Sequence, residues 1–207
     1  MGRKRRPSFE KIEYEPRSVK DLLTEMKDTS ELVIDLAYAS ILFDSENMAN
    51  QVQSLEEKMD KLLYHIRLNA LMAARSVEDA EQLAGILQVA NAAESISNAA
   101  GDIADIINTD KKHRAFLSRI LADADEKTAI ATIKPDSSLA GKSIKELGVE
   151  SETGARIIAV RRPRGWVYDP DDHFILSEGD QLVLIGVEDG YRYIQECAEG
   201  KRQWGDE

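Results

Sequence analysis

Proline and glycine are distributed very unevenly along this chain. No proline lies between Pro16 and Pro135, and only Gly85 and Gly101 interrupt the same stretch, whereas most of the twelve glycines follow Pro135. Because proline ends helices and glycine favours turns, the first half is free to form long helices. The second half must be built from short elements joined by turns. This distribution predicts an all-helical domain followed by a small α+β domain.

The spacing of apolar residues in the first half predicts three long helices. Apolar side chains recur every three or four positions over about residues 19–43. They recur again in a second stretch that runs from an N-cap at Asp44 or Ser45 to about Ala74. Ser76 is the expected N-cap of a third, alanine-rich helix. Such helices favour close approach and short connections.

A shorter apolar segment over residues 113–124 predicts a fourth helix, which packs on the bundle or on a partner. Long helices joined by short turns favour an antiparallel up-and-down bundle over residues 17–126. Residues 1–16 are rich in Lys and Arg and are expected to form a flexible basic tail. Residues 127–207 form the second domain.

In the second domain the apolar pattern changes to period two and to short apolar runs, which are typical of strands. The strands are expected over residues 128–133, 156–161, 166–168, 174–176 and 181–187, with helices over residues 143–147 and 188–199. A domain of about 75 residues has a thin core, so the second domain is expected to bury surface against another copy of itself.

Composition and charge exclude several classes of function. The net charge of −11 and the acidic bulk argue against a nucleic-acid partner. A single cysteine, Cys197, offers neither an internal disulfide nor a thiolate metal site, which suits a reducing cytoplasm. No apolar run is long enough to span a membrane. No catalytic constellation is evident, so the sequence predicts a cytoplasmic protein that is not an enzyme.

Three sequence blocks carry a family resemblance. They are Ser138–Leu147, Gly154–Arg162 and Glu178–Gly186, the last an acidic turn that leads into an apolar strand. In these blocks and in their order, residues 130–199 resemble the C-terminal domain of potassium-conductance regulators, the RCK C-terminal or TrkA-C family. The resemblance implies a domain that dimerises and, in several members, binds a regulatory small molecule at the dimer interface, often cyclic di-AMP.

The resemblance also implies positions for the ligand. Arg156 is the candidate contact to a phosphate, and small and apolar neighbours would flank a purine. In the alternative interpretation Ile157 and Ile158 alternate between the core and the dimer interface, and Arg156 is a surface charge. The residues implied to line the pocket for cyclic di-AMP or another nucleotide are Val149, Ala155, Arg156, Ile157, Ile158 and Pro170.

The helical half is similar to a single PhoU-type three-helix repeat. PhoU relatives bind metal through Glu-x-x-x-Asp pairs, and Glu31 and Asp35 match one such pair, with Asp28 on the same helical stripe. The second pair departs from the pattern, because Glu94 is followed by Asn98 where an aspartate is expected. Asp102 continues that stripe. Oxygen ligands of this kind suit a divalent metal, and the alternative is a solvated acidic face.

The fusion of the two domains resembles potassium-channel-related regulatory proteins of archaea. Regulators of this family often carry an NAD-binding Rossmann domain, but no Gly-x-Gly-x-x-Gly motif occurs in this chain, so no NAD site is expected.

The sequence therefore predicts a regulatory subunit of potassium or other cation transmembrane transport. It would act as a homodimer or higher homo-oligomer on a membrane transporter or channel, at the inner membrane face. The alternative is a metal-binding, PhoU-like adaptor in phosphate signalling.

Overall fold

The computed structural model describes residues 16–109, 111–121 and 127–206. The predicted basic tail, apart from Pro16, lies outside the described residues, as does the end of the predicted fourth helix beyond Leu121. The chain divides into two compact units. Of the described residues, one unit comprises those up to Ile34 together with Asn50–Ile103, and the other comprises Asp35–Ala49 together with those from Ala104 onward.

The three long helices predicted from the apolar spacing are present. They are α1 (Val19–Leu42), α2 (Glu46–Ala73) and α3 (Val77–Ala104). A serine caps the N-terminus of both α2 and α3. The Ser45 hydroxyl accepts a hydrogen bond from the Met48 amide at 3.4 Å, and the Ser76 hydroxyl accepts one from the Asp79 amide at 3.1 Å. These bonds satisfy amide groups that the first helical turn leaves without partners.

A 3-10 turn at Asp105–Asn108 follows α3 and leads to the short fourth helix, α4 (Lys111–Leu121). The Ser118 hydroxyl on α4 donates a hydrogen bond to the Ile41 carbonyl at 3.0 Å, within the second compact unit. Among the helices of the described residues, none combines the length and apolar character that a membrane span requires.

The core of the first unit lies between the three long helices. Its centre is a cluster of aliphatic side chains and methionines from one face of each helix, which together exclude water from the bundle axis. The buried members are Leu22, Met26, Met59, Leu62, Leu63, Ile66 and Ala90.

The second unit contains an antiparallel four-stranded sheet in the order β1-β4-β2-β3. The elements in chain order are β1 (Lys127–Thr132), α5 (Ile144–Leu147), α6 (Val149–Thr153), β2 (Ala155–Arg162), β3 (Gly165–Tyr168), β4 (Gln181–Gly186) and α7 (Glu188–Ala198). The predicted mixed fold, a helical bundle followed by a small α+β domain, is confirmed.

One predicted strand is wrong. Residues 174–176 form a single bridge, between Ser143 and Ile175, and no strand of the sheet. The reason lies in their hydrogen bonds: the Phe174 carbonyl accepts from the Ile144 amide at 3.1 Å, and the Leu176 amide donates to the Lys142 carbonyl at 2.9 Å. The segment therefore pairs with the start of α5, because its apolar residues anchor a loop to the core.

Both faces of β2 are covered. Ile157, Ile158, Ala159 and Val160 are each no more than 5% exposed, and the register against β4 shifts between Ile157 and Ala159. A strand buried on both faces carries a continuous apolar run. The core beneath the sheet consists mainly of aliphatic side chains, and it includes Ile133, Leu139, Leu147, Leu176, Leu182, Leu184, Ile194 and Cys197.

The acidic turn before β4 holds a buried ion pair. Asp180 is 2% exposed, and its carboxylate accepts hydrogen bonds from Arg162 Nε at 2.8 Å and Nη2 at 2.7 Å, and from the Ser177 amide at 2.9 Å. The hydrogen bonds to the Asp180 carboxylate raise the pKa of Arg162 above its usual value. The guanidinium also lies over the Phe174 ring, 4.3 Å from its centroid. The turn is thereby fixed to the end of β2.

Tyr168, at the end of β3, gives a prediction about high pH. Burial raises the pKa of Tyr168 to about 12 from an ordinary value of 10.0. The unfolded phenol therefore loses its proton before the folded one does, so the stability of the fold should be full below pH 10 and should fall between pH 10 and 12. Phenolate absorbance during a pH titration measures the raised pKa from which this loss of stability follows. The phenolate that appears last should be missing in Tyr168→Phe, and an unchanged curve would contradict the prediction.

Candidate functional site

A cleft opens in the second unit between the two short helices, β2 and the loop after β3. Its volume is about 670 Å³, within the range of small-molecule sites. It is lined by Ile144, Lys145, Gly148, Val149, Glu150, Ser151, Arg156, Ile157, Asp169, Pro170, Asp171 and Asp172.

The helical wall of the cleft is set by local sequence signals. Ser143 and Glu146 form a capping box: the Ser143 hydroxyl accepts from the Glu146 amide at 3.2 Å, and the Glu146 carboxylate accepts from the Ser143 amide at 2.8 Å. Gly148, at φ +57°, ends α5 in the left-handed conformation and lets α6 begin at once. This sharp change of direction exposes Gly148 to the cleft.

The opposite wall is the loop after β3. The Asp169 amide donates to the Ile158 carbonyl at 2.9 Å, and the Lys145 amide donates to the Asp172 carbonyl at 2.8 Å. The Asp171 carboxylate accepts from the His173 amide at 2.8 Å. Because these bonds tie the loop to both β2 and α5, the cleft is preformed.

Arg156 is the basic side chain that β2 contributes to the cleft, and it is engaged in an ion pair. Its Nη2 atom lies 2.6 Å from Oδ2 of Asp35, in the C-terminal half of α1. The Arg156 side chain is 30% exposed and the Asp35 side chain 20% exposed, so both remain accessible to solvent and to a ligand. Both residues belong to the second compact unit. The ion pair joins the cleft to α1.

The charges of the cleft are mixed. Lys145 and Arg156 are basic, and the acidic side chains are Glu150, Asp169, Asp171 and Asp172. A guanidinium and an ammonium suit phosphate oxygens, whereas carboxylates accept hydrogen bonds from amino and hydroxyl groups. The arrangement fits a ligand that has both anionic and hydrogen-bond-donating groups.

The structure separates the six predicted ligand residues into two sets. Val149, Arg156, Ile157 and Pro170 line the cleft. Ala155 and Ile158 are fully buried beside it, where they support the walls without facing the cavity.

Sequence reasoning did not single out several residues that line the cleft. Lys145 stands in the first family block, and the acidic run Asp169, Asp171 and Asp172 surrounds the predicted Pro170. This run of carboxylates around a proline is a signal in the sequence for a polar loop. The pairing of Arg156 with Asp35 has no such signal, because 121 positions separate the two residues.

The structure does not support the predicted metal site in the helical half. Lys27 lies 3.6 Å from Asp28 and 3.0 Å from Glu31, Asp35 pairs with Arg156, and the Asn98 amide donates to Glu94 at 2.8 Å. Asp102 is exposed. Among the described residues, no three His, Cys, Asp or Glu side chains are placed to hold a metal ion. The carboxylates are engaged by cations and an amide of the chain itself, which lowers their capacity to attract a metal.

Comparison with known families places this cleft in a known type of domain. The family model of the TrkA-C domain matches residues 128–196, and that of the PhoU domain matches residues 23–107. This chain joins a PhoU domain to a TrkA-C domain. The resemblance seen in the sequence is thereby confirmed, and the cleft lies in the TrkA-C domain.

Part of the chain is similar in sequence to a known protein. Over 71 residues the chain is 34% identical to Probable potassium channel protein 2 of Methanocaldococcus jannaschii, a match that covers 34% of this chain. The match covers 21% of the relative, so the chain spans about a fifth of the length of that protein.

Two solved structures of one protein are similar to this chain. The RCK_C domain dimer of S. agalactiae BusR in complex with c-di-AMP is 29% identical and matches 35% of this chain and 95% of its own, with a TM-score of 0.33. S. agalactiae BusR in complex with its busAB-promotor DNA is 20% identical and matches 84% of this chain and 97% of its own, with a TM-score of 0.34.

Proposed function

We propose that this protein is a cytoplasmic regulatory subunit of potassium or other cation transport. It has no enzymatic activity, and it responds to a nucleotide that binds in the cleft of its TrkA-C domain. The observation that carries the proposal is the cleft itself, where Arg156 and Lys145 lie opposite a carboxylate-rich loop. The relative that is 34% identical over 71 residues bears the name Probable potassium channel protein 2, which supports cation transport as the regulated process.

Cyclic di-AMP is the nucleotide that we expect, because the TrkA-C resemblance implies it and the cleft chemistry suits it. Each of its two phosphodiesters carries a negative charge that a guanidinium can bind. Its adenine amino groups are donors, and the carboxylates of Asp169, Asp171 and Asp172 are acceptors. Two copies of the domain facing each other would double both sets of groups, which supports binding between the subunits of a homodimer.

The ion pair between Arg156 and Asp35 supports a route by which binding is transmitted. A phosphate at Arg156 competes with the Asp35 carboxylate for the same guanidinium. If the ligand draws Arg156 away, α1 loses a contact to the TrkA-C domain, and the helical segment around Asp35 is released to take another position. Coupling of this kind is reciprocal, so loss of the Asp35 charge should strengthen ligand binding.

Calorimetry with cyclic di-AMP tests the proposal in three variants. Arg156→Ala should weaken binding by about 10- to 100-fold, the value of a charge-assisted hydrogen bond. Asp35→Asn should strengthen binding several-fold, since a competing anion is removed. The matched control is Arg161→Ala, which removes an exposed arginine from the same strand and should bind like the wild type.

Two results would contradict the proposal. Equal binding by Arg156→Ala and the wild type would exclude the cleft as the nucleotide site. Affinity purification of the tagged chain from native membranes should recover a cation transporter or channel. Failure to recover one, together with specific binding of the chain to promoter DNA, would contradict a role in transport.

A further inference from the structure

The helix α3 presents an apolar face to solvent in addition to the face that it packs inside the bundle. Val89 is 61% exposed and Ile96 is 41% exposed, whereas Ala90 and Ala100 are buried. No charged residue occurs over residues 82–93. A helix that is apolar on opposite faces is normally covered on both of them. The outer face of α3 therefore has the character of a surface on which another helix packs.

The exposed apolar positions follow a regular spacing. Together with the half-buried Ile103 we call them the outer seam, which comprises Gly85, Val89, Ala92, Ile96, Ala99 and Ile103. Their steps alternate between four and three residues, which is the heptad period of coiled coils. Large residues alternate with small ones along the seam, which extends for about 27 Å at a rise of 1.5 Å per residue.

The seam is complementary to itself when two copies run antiparallel. With the two-fold axis at the level of residue 94, Val89 of one copy faces Ala99 of the other. In the next layer Ile96 faces Ala92, and Ile103 faces Gly85 in the last. Each large side chain meets a small residue in every layer, which fills the space between the helices without overlap. A two-fold interface requires this kind of self-complementarity.

The parallel alternative lacks this match. It would place Ile96 against Ile96 and Ala92 against Ala92, which leaves crowded layers next to empty ones. Gln88, Ser95 and Asp102 flank the seam along one side. In the antiparallel pair this side meets the same side of the other copy, with Asp102 opposite Gln88 and Ser95 opposite Ser95, so no like charges face each other there.

We propose that the outer seam of α3 binds the same seam of a second copy of this chain in antiparallel orientation. The order of large and small residues fits the same surface run in reverse, and this self-complementarity supports a second copy as the partner. One helix pair of this length is small beside the roughly 800 Å² per partner of a standard interface, so the affinity of the seam alone should be modest. The inference is independent of the proposed ligand and transporter.

Disulfide trapping tests the orientation in the full-length chain. Ala92→Cys and Ile96→Cys are prepared separately, one with a tag that changes its mass, and are then mixed under mild oxidation. The antiparallel seam predicts a mixed disulfide and no disulfide from either variant alone, because residue 92 faces residue 96. A parallel pair would give disulfides from each variant alone. The wild type, with its buried Cys197, and Glu57→Cys on the exposed face of α2 give the background.

Sedimentation analysis tests the energetic role of the seam. The double variant Val89→Asp, Ile96→Asp should lose the association that the outer seam forms. The dissociation constant of that association should rise by about 100-fold. The matched control is Leu71→Asp, which places the same charge at a residue that is 75% exposed outside the seam and should assemble like the wild type. Circular dichroism should show unchanged helix content in both. Absence of the mixed disulfide with unchanged assembly of the double variant would overturn the proposal and assign the face to a different protein.

Discussion

Replacing Gly190 with alanine should destabilise the TrkA-C domain by about 3 kcal/mol or more, the upper range for an overpacked core. Gly190 lies in the first turn of α7, where the helix crosses the end of α6. A Cβ atom at this position would lie 2.1 Å from the Thr153 carbonyl oxygen and 3.4 Å from the Ala155 Cβ. Since the first of these atoms is backbone, the overlap is relieved only if α6 and α7 move apart.

The expected sign opposes the usual effect of this substitution. Alanine in place of glycine within a helix ordinarily stabilises it by about 1 kcal/mol. Asp189→Ala, at the exposed neighbouring position, controls for changes in helix propensity and charge. Trp166 lies in the TrkA-C domain and Trp204, the other tryptophan of the chain, packs against the core of that domain, so denaturant unfolding followed by tryptophan fluorescence reports on this domain. An unfolding midpoint equal to that of Asp189→Ala would show that α6 and α7 do not pack this closely.

Replacing Asp180 with alanine should cost about 3 kcal/mol of unfolding free energy, as expected when one partner of a buried, hydrogen-bonded ion pair is removed. The substitution removes three hydrogen bonds, two from Arg162 and one from the Ser177 amide. It leaves the guanidinium of Arg162, whose side chain is 33% exposed, without its carboxylate. Access to water lowers the cost on the arginine side, so the loss should lie near the lower end of the range for fully buried pairs.

Two comparisons isolate the contribution of the Asp180 carboxylate. Asp180→Asn keeps the shape of the side chain but turns one acceptor into a donor, so it should lose much of the same free energy. Glu178→Gln removes a charge from the exposed side of the same turn and should have little effect. Equal unfolding midpoints for Asp180→Ala and Glu178→Gln would mean that the acidic turn is held by backbone hydrogen bonds alone.

The burial of Asp180 also explains why one family block begins with an acidic turn. The block Glu178–Gly186 was interpreted from the sequence as a strand behind an acidic turn, and that assignment is confirmed. The buried pair with Arg162 gives the physical reason for Asp180, because the carboxylate anchors the turn to β2. Glu178 is exposed. Two acidic residues of one turn therefore differ in energetic importance by their burial.

The amino-acid sequence alone determined the elements with strong periodicity and caps. Both ends of α1 and α2 and the start of α3 were predicted to within about two residues, because a sustained apolar stripe and a serine N-cap are local signals. The capping box at Ser143 and the apolar run of β4 are local in the same way. By contrast, the segment 174–176 was assigned to a strand, because a short apolar run has no period that separates a strand from an anchored loop.

The tertiary structure decided what the candidate site is made of. Arg156 was predicted to contact a ligand and Asp35 to bind a metal, but the fold brings these two residues together as an ion pair. The fold also buries Ala155 and Ile158 in the core, and it places Lys145 and Asp172 on opposite walls of one cleft. Local patterns specify which residues form a helix or a strand. Which side chains meet depends on how those elements pack, because contacts between residues distant in the chain leave no period in the sequence.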